Sequence, residues 1–107
     1  MQPLCLLLLL VTLALANGQG CKVIKVRKEI GDLSWNELNT LKRAIIKLRN
    51  SGQYEDYEIK HLVNSHKIHN SSQFFPWHRV FVNEYEEHLR LFEPNVVLPY
   101  WDVSDSR

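Results

Sequence analysis

The chain has 107 residues, with 13 basic and 12 acidic side chains and a net charge of +1 when the histidines are neutral. That length bounds it to one small domain, and the near-balanced charge gives no basic footprint for a nucleic-acid partner. A hydrophobic share of 45% excludes a disordered chain, and two cysteines exclude a multiply stapled scaffold.

Residues 4–16 read Leu-Cys-Leu-Leu-Leu-Leu-Leu-Val-Thr-Leu-Ala-Leu-Ala, and the first charged side chain is Lys22. The run is shorter than the ~20 apolar residues that span a bilayer. It ends in Ala14-Leu15-Ala16, a small-x-small cleavage pattern. It reads as a secretory signal peptide over residues 1–16, with cleavage as late as residue 20, although only the α-amino group supplies positive charge before it. The expectation is a secreted, extracellular protein with no membrane segment once the signal is removed. Cys5 leaves with the signal, so Cys21 becomes an odd cysteine that calls for a disulfide partner elsewhere.

Residues 17–33 form an extended leader, and the alternation Val23-Ile24-Lys25-Val26 predicts an edge strand within it. Ser34-Trp35-Asn36-Glu37 is a capping box that opens a helix. Leu38, Leu41, Ile45 and Leu48 mark its apolar face, and Asn50-Ser51-Gly52 supplies a left-handed cap to end it. A second helix is predicted over about 54–65, with Tyr57 and His61 on one face. His66 to Phe75 reads as a polar loop, and a third helix starts near Pro76, a residue suited to a first turn. Phe81, Tyr85, His88, Leu89 and Phe92 recur along it at helical spacing, and Pro94 stops it. Residues 96–102, Val-Val-Leu-Pro-Tyr-Trp-Asp, read as extended.

All five histidines fall between positions 61 and 88. His61 is predicted about four residues before the end of the second helix, ~6 Å from it at 1.5 Å per residue. His78 falls in the first turn of the third helix, and His69 in the loop joining them. A short connection packs two helices antiparallel, so the three imidazoles approach one point. Imidazole is a preferred ligand of zinc and copper. A position near a helix N-terminus also disfavours the imidazolium of His78 and keeps its ring able to ligate. His88 lies ten residues beyond His78, ~15 Å along the axis, where it meets solvent or a neighbouring element. His66 competes with His61 for the third ligand position, and spacing alone does not choose between them. Three imidazoles also suit copper and zinc equally.

The run His61-x7-His69, Phe74-Phe75-Pro76-Trp77-His78-Arg79, then Glu86 and Leu89, resembles the first copper-binding half of the tyrosinase family. Leu98-Pro99-Tyr100-Trp101-Asp102 is similar to the PYWD element that follows in that family. The resemblance covers residues 57–102, with residues 27–53 fitting the leading helix loosely. It implies that His61, His69 and His78 hold the first copper of a dinuclear type 3 site and that His66 is not a ligand. It further implies oxidation of phenols or o-diphenols to o-quinones with O2. Two departures stand out. Lys67 occupies the position where some members carry a cysteine crosslinked to the second histidine, so no such crosslink forms. No histidine follows His88, whereas the family places the second copper's ligands far downstream.

Around the triad, Trp77 and Phe74 read as core that shields the site from water. Arg79 and Glu86 are seven residues apart; they contact other elements, support the ligands from behind, or lie in solvent. Asn70-Ser71-Ser72 is an N-glycosylation sequon beside His69.

These readings predict an all-α fold: a partial helical bundle, the N-terminal half of a type 3 copper domain, with an extended leader. Residues 17–107 are expected to be the N-terminal part of that domain, truncated before its second copper site. The function expected is the copper-binding half of a secreted tyrosinase-like oxidoreductase with a phenolic substrate and O2, inactive by itself. The alternatives are a non-catalytic secreted metal-binding or matrix protein and a hemocyanin-like oxygen carrier.

Overall fold

A computed structural model describes residues 24–104. The expected signal peptide, Cys21 and Val23 lie outside the described residues. Among those described, the order is a 3-10 turn, Ile30–Asp32, followed by helices α1 (Trp35–Asn50), α2 (Tyr54–Ile68) and α3 (Phe74–Phe92). The protein is all-α, as predicted.

Local chemistry explains most of the boundaries. Ser34 Oγ accepts from the Glu37 N–H, and the Glu37 carboxylate accepts from the Ser34 N–H at 2.8 Å, so the predicted capping box is formed. At the far end of α1, Gly52 takes φ +79° and its N–H donates to the Arg49 carbonyl at 3.0 Å. That left-handed position favours glycine.

Two boundaries differ from prediction. α2 runs three residues past Ser65 to Ile68, which is 2% exposed, and His69 is its C-cap. Burial of Ile68 holds the last turn, and His66 and Lys67 sit where the helix dipole favours basic groups. α3 starts at Phe74, two residues before Pro76. Proline at the third position is still in the first turn, where N–H groups have no intrahelical acceptor. The connection thus shrinks to residues 69–73.

The edge strand does not form over residues 24–26. Ile24 and Val26 are 83% and 72% exposed, so no sheet lies against their alternation. Pairing occurs further along, as a single parallel bridge between Glu29 and Tyr100. Tyr100 N–H donates to the Lys28 carbonyl and Ile30 N–H to the Tyr100 carbonyl, both at 2.9 Å.

The core lies between α1 and α3. Leu41, Ala44 and Leu48 of α1 meet Leu89 of α3, and Val96 closes the cluster. Full burial of one such leucine contributes roughly 1.5–3 kcal/mol. Beside it the Glu86 carboxylate, 4% exposed, gathers three segments. It accepts from Arg27 at 3.1 Å, from Arg90 one turn along α3, and from the Leu98 N–H at 2.9 Å. Arg90 also donates to the Val96 carbonyl at 3.2 Å. One buried carboxylate therefore ties leader, helix and C-terminal segment together, and its oxygens are satisfied by groups far apart in sequence.

Candidate metal centre

α2 and α3 pair antiparallel: Tyr54 meets Tyr85, Tyr57 meets Phe81, and His61 meets His78. His61 lies two turns before the end of α2, and His78 is the fifth residue of α3. The five-residue connection then places His69 beside both. The ring centroids are 5.1 Å apart for His61 and His69, 5.3 Å for His69 and His78, and 5.5 Å for His61 and His78. One ligating nitrogen from each ring lies within 4.8 Å of the others.

The hydrogen bonds fix which nitrogens face inward. His69 Nδ1 donates to the Ser65 carbonyl at 2.9 Å, and His78 Nδ1 donates to the Phe74 carbonyl at 2.7 Å. A carbonyl only accepts, so each Nδ1 carries the proton and each Nε2 keeps its lone pair. Orientation of metal-binding imidazoles by backbone carbonyls is a recurrent arrangement. His61 Nε2 lies 3.4 Å from His78 Nε2. Imidazole nitrogens sit about 2.0–2.1 Å from a zinc-sized ion, so two ligands of one ion stand roughly 3.3–3.6 Å apart at tetrahedral to trigonal angles. The donor set and this spacing fit one metal ion.

The other predicted residues separate into three groups. Phe74 and Trp77 do touch the ligands: Phe74 lies 4.5 Å from His78 and 5.8 Å from His69, and Trp77 lies 5.1 Å from His78 and 6.0 Å from His61. Neither is a core residue, however; Phe74 is 37% exposed and Trp77 half-buried. Both flank the loop end of a hairpin that no further described element covers. Arg79 is exposed and, among the described residues, has no ion-pair partner. Glu86 is engaged with Arg27, Arg90 and Leu98 and so braces the core rather than a ligand. His66 is exposed and outside the triad. His88 packs on a neighbouring element, where its Nδ1 hydrogen-bonds Tyr57. Asn70 is exposed with φ +55°, a conformation asparagine tolerates.

Sequence reasoning missed the carbonyls of Ser65 and Phe74 as ligand orienters and Arg27 as a partner of Glu86. The carbonyls stand four residues before their histidines, a spacing open to any helical histidine, so no distinctive signal marked them. A mostly apolar groove of about 470 Å³ opens on His61 and His78, walled by Tyr54, Tyr57, Phe81, Val82 and Tyr85 together with Glu58.

Three convergent imidazoles on a helical hairpin define a class: a histidine-liganded metal centre in an all-α scaffold. The family model described as the common central domain of tyrosinase matches residues 33–107. The chain belongs to the tyrosinase family, whose members are type 3 copper proteins. It is 34% identical over 92 residues to tyrosinase of Streptomyces glaucescens, covering 77% of this chain and 33% of that protein. It is 33% identical over 90 residues to tyrosinase of Streptomyces antibioticus, with the same two shares, 77% and 33%. It is also 33% identical over 88 residues to hemocyanin 1 of Megathura crenulata, covering 73% of this chain and 3% of that protein. The chain thus spans about a third of the length of the Streptomyces tyrosinases it matches. The family is copper-dependent, and His61, His69 and His78 can hold one copper ion.

Proposed function

We propose that this chain provides the first copper centre of a secreted tyrosinase-like oxidoreductase that acts on phenols or o-diphenols with O2. The observation that carries this reading is the triad, with two of its imidazoles turned by backbone carbonyls so that Nε2 lone pairs face a common point. When bound, copper supplies the one-electron redox chemistry that lets O2 react with a phenol. The protein's own contribution is orientation. Ser65 and Phe74 hold two rings in one tautomer, while the Phe74 and Trp77 rings pack against the imidazoles. On this reading the groove beside His61 and His78 would receive the phenol ring.

A dinuclear centre with three histidines per ion needs more imidazoles than the five present. His66 and His88 stand outside the triad as well. On this reading these residues alone do not oxidise phenols, and the second set of ligands comes from outside them. Secretion rests on the apolar run at residues 4–16, and in a secreted chain the exposed Asn70 would be open to glycosylation. The similarity to hemocyanin supports a second reading, in which the same centre belongs to an oxygen carrier.

The test is copper stoichiometry. The chain should bind one copper ion and lose it when His61, His69 or His78 is replaced by alanine, while His66→Ala and His88→Ala retain it. Catechol should not be oxidised by the copper-loaded chain. Copper retained by the triple variant, or triad-dependent catechol turnover, would overturn the proposal. Reversible O2 uptake without phenol turnover, in a protein completed by a second centre, would select the carrier reading.

A further inference from the structure

We propose that Tyr57 and His88 form a proton-coupled redox pair that drains one-electron oxidising equivalents away from the histidine triad. The proposal rests on the triad being a copper centre. Tyr57 stands one turn before His61 on the same face of α2, and its hydroxyl hydrogen-bonds Nδ1 of His88 on α3. The Glu84 carbonyl lies 3.1 Å from both the Tyr57 hydroxyl and His88 Nδ1. The Tyr57 hydroxyl donates to the Glu84 carbonyl or, in the His88 tautomer with its proton on Nε2, to Nδ1. Once the proton has moved, Nδ1–H donates to the same carbonyl, so the acceptor for the transferred proton is already in place.

Aromatic rings link this pair to the metal ligands without a gap. His61 lies 6.0 Å from Trp77 and 5.9 Å from Phe81, Trp77 stacks on Phe81 at 4.9 Å, and Phe81 lies 5.6 Å from Tyr57. On the other side, Tyr57 and His88 line a pocket of about 200 Å³ with Asp56, Lys60 and Glu84. The pocket is open to a small reductant. Burial and the Glu84 charge raise the Tyr57 pKa, so the phenol proton is present at rest. A structural role alone would ask only for a satisfied hydroxyl. It would not place a base on the hydroxyl and a ring path to a metal ligand.

The step balances as follows. The oxidant is of the class formed when hydrogen peroxide meets a redox-active metal ion. It takes one electron from Tyr57; the phenol O–H bond breaks, and the proton passes to His88 Nδ1. The products are a neutral phenoxyl radical, an imidazolium and the oxidant reduced by one electron. A small diffusible reductant such as ascorbate or an o-diphenol, entering from the pocket, returns one electron, and the proton goes back to the phenol oxygen. Without this outlet, the oxidising equivalent is spent on His61, His69, His78 or Trp77.

The experiment loads the full chain with copper, measures bound copper, and adds hydrogen peroxide. Rapid-freeze electron paramagnetic resonance detects a tyrosyl radical, and peptide mass mapping reports oxidation of the three ligands and Trp77. The unaltered chain should show the radical and little ligand oxidation. Tyr57→Phe, which keeps the ring packed on Phe81 and Tyr85, should lose the radical and raise ligand oxidation several-fold. His88→Gln should lower the radical yield several-fold, and Tyr85→Phe should match the unaltered chain. A radical that survives Tyr57→Phe, or equal ligand oxidation in both proteins at equal bound copper, would overturn the proposal. If no copper binds, the metal-centre reading fails on that measurement. The pair is then tested in the metal-free chain with a photogenerated ruthenium(III) oxidant: a radical on Tyr57 that depends on His88 supports the pair, and its absence sinks it.

Discussion

The two sides of α3 are closed in different ways. Toward α1 the helix buries Leu89 and Glu86, and the leader and C-terminal segment are pinned over them through Arg27 and Leu98. Toward α2 it presents His78, Phe81 and Tyr85, all half-buried, along an open groove. α2 itself buries only Ile68 and leaves Ile59, Leu62 and Val63 more than half exposed. Burial and charge pairing therefore hold the first side, while the second keeps its ligands accessible and gains less from the chain's own packing. The division separates what stabilises this protein from what gives it chemistry, and it can be probed from either side.

The largest expected effect is on the closed side. Glu86→Leu leaves Arg90 and the Leu98 N–H without their carboxylate and should cost about 3–5 kcal/mol in urea unfolding. A cost near that of an exposed ion pair, below about 1 kcal/mol, would show that the clamp does not hold the segments together. Truncation of the core comes next. Leu89→Ala should destabilise by about 2–5 kcal/mol, whereas Leu62→Ala, at a residue 73% exposed, should stay within roughly 0.5 kcal/mol. Similar values at the two positions would erase the distinction between the sides.

Copper sharpens the same comparison from the open side. An ion that binds only the folded triad should add about 2.7 kcal/mol at a hundredfold excess over Kd. The gain should be read as slowed amide exchange in α2, and His61→Ala should abolish it. Acid should have the smallest effect. Glu37, bonded to Lys28 and Ser34, and Glu93, bonded to Arg43 and Lys47, are both held down to about 2 from an ordinary 4.5. A depressed carboxylate contributes stability above its unfolded pKa. That contribution is lost as pH falls from about 4.5 toward about 2. Because these pairs face solvent, added salt should shrink the loss. An unfolding midpoint indifferent to both pH and salt across that window would remove these pairs from the account.

The sequence by itself determined the all-α class, the three helices, the Ser34–Glu37 cap, the stop at Gly52 and the candidate ligands His61, His69 and His78. The helices and their caps depend on neighbours within a few residues, and spacing brings histidines of two helices and their short loop together; the choice of His61 over His66 came from the resemblance to the tyrosinase family, not from spacing. Tertiary structure alone decided the rest. The last turn of α2 persists because Ile68 finds a buried place, and the alternating leader residues stay unpaired because no sheet lies beside them. Glu86 finds Arg27 from 59 residues away, and Tyr57 finds His88 from 31. Partners at those distances are chosen by how helices pack and where a segment crosses them, and no local pattern of residues carries that information.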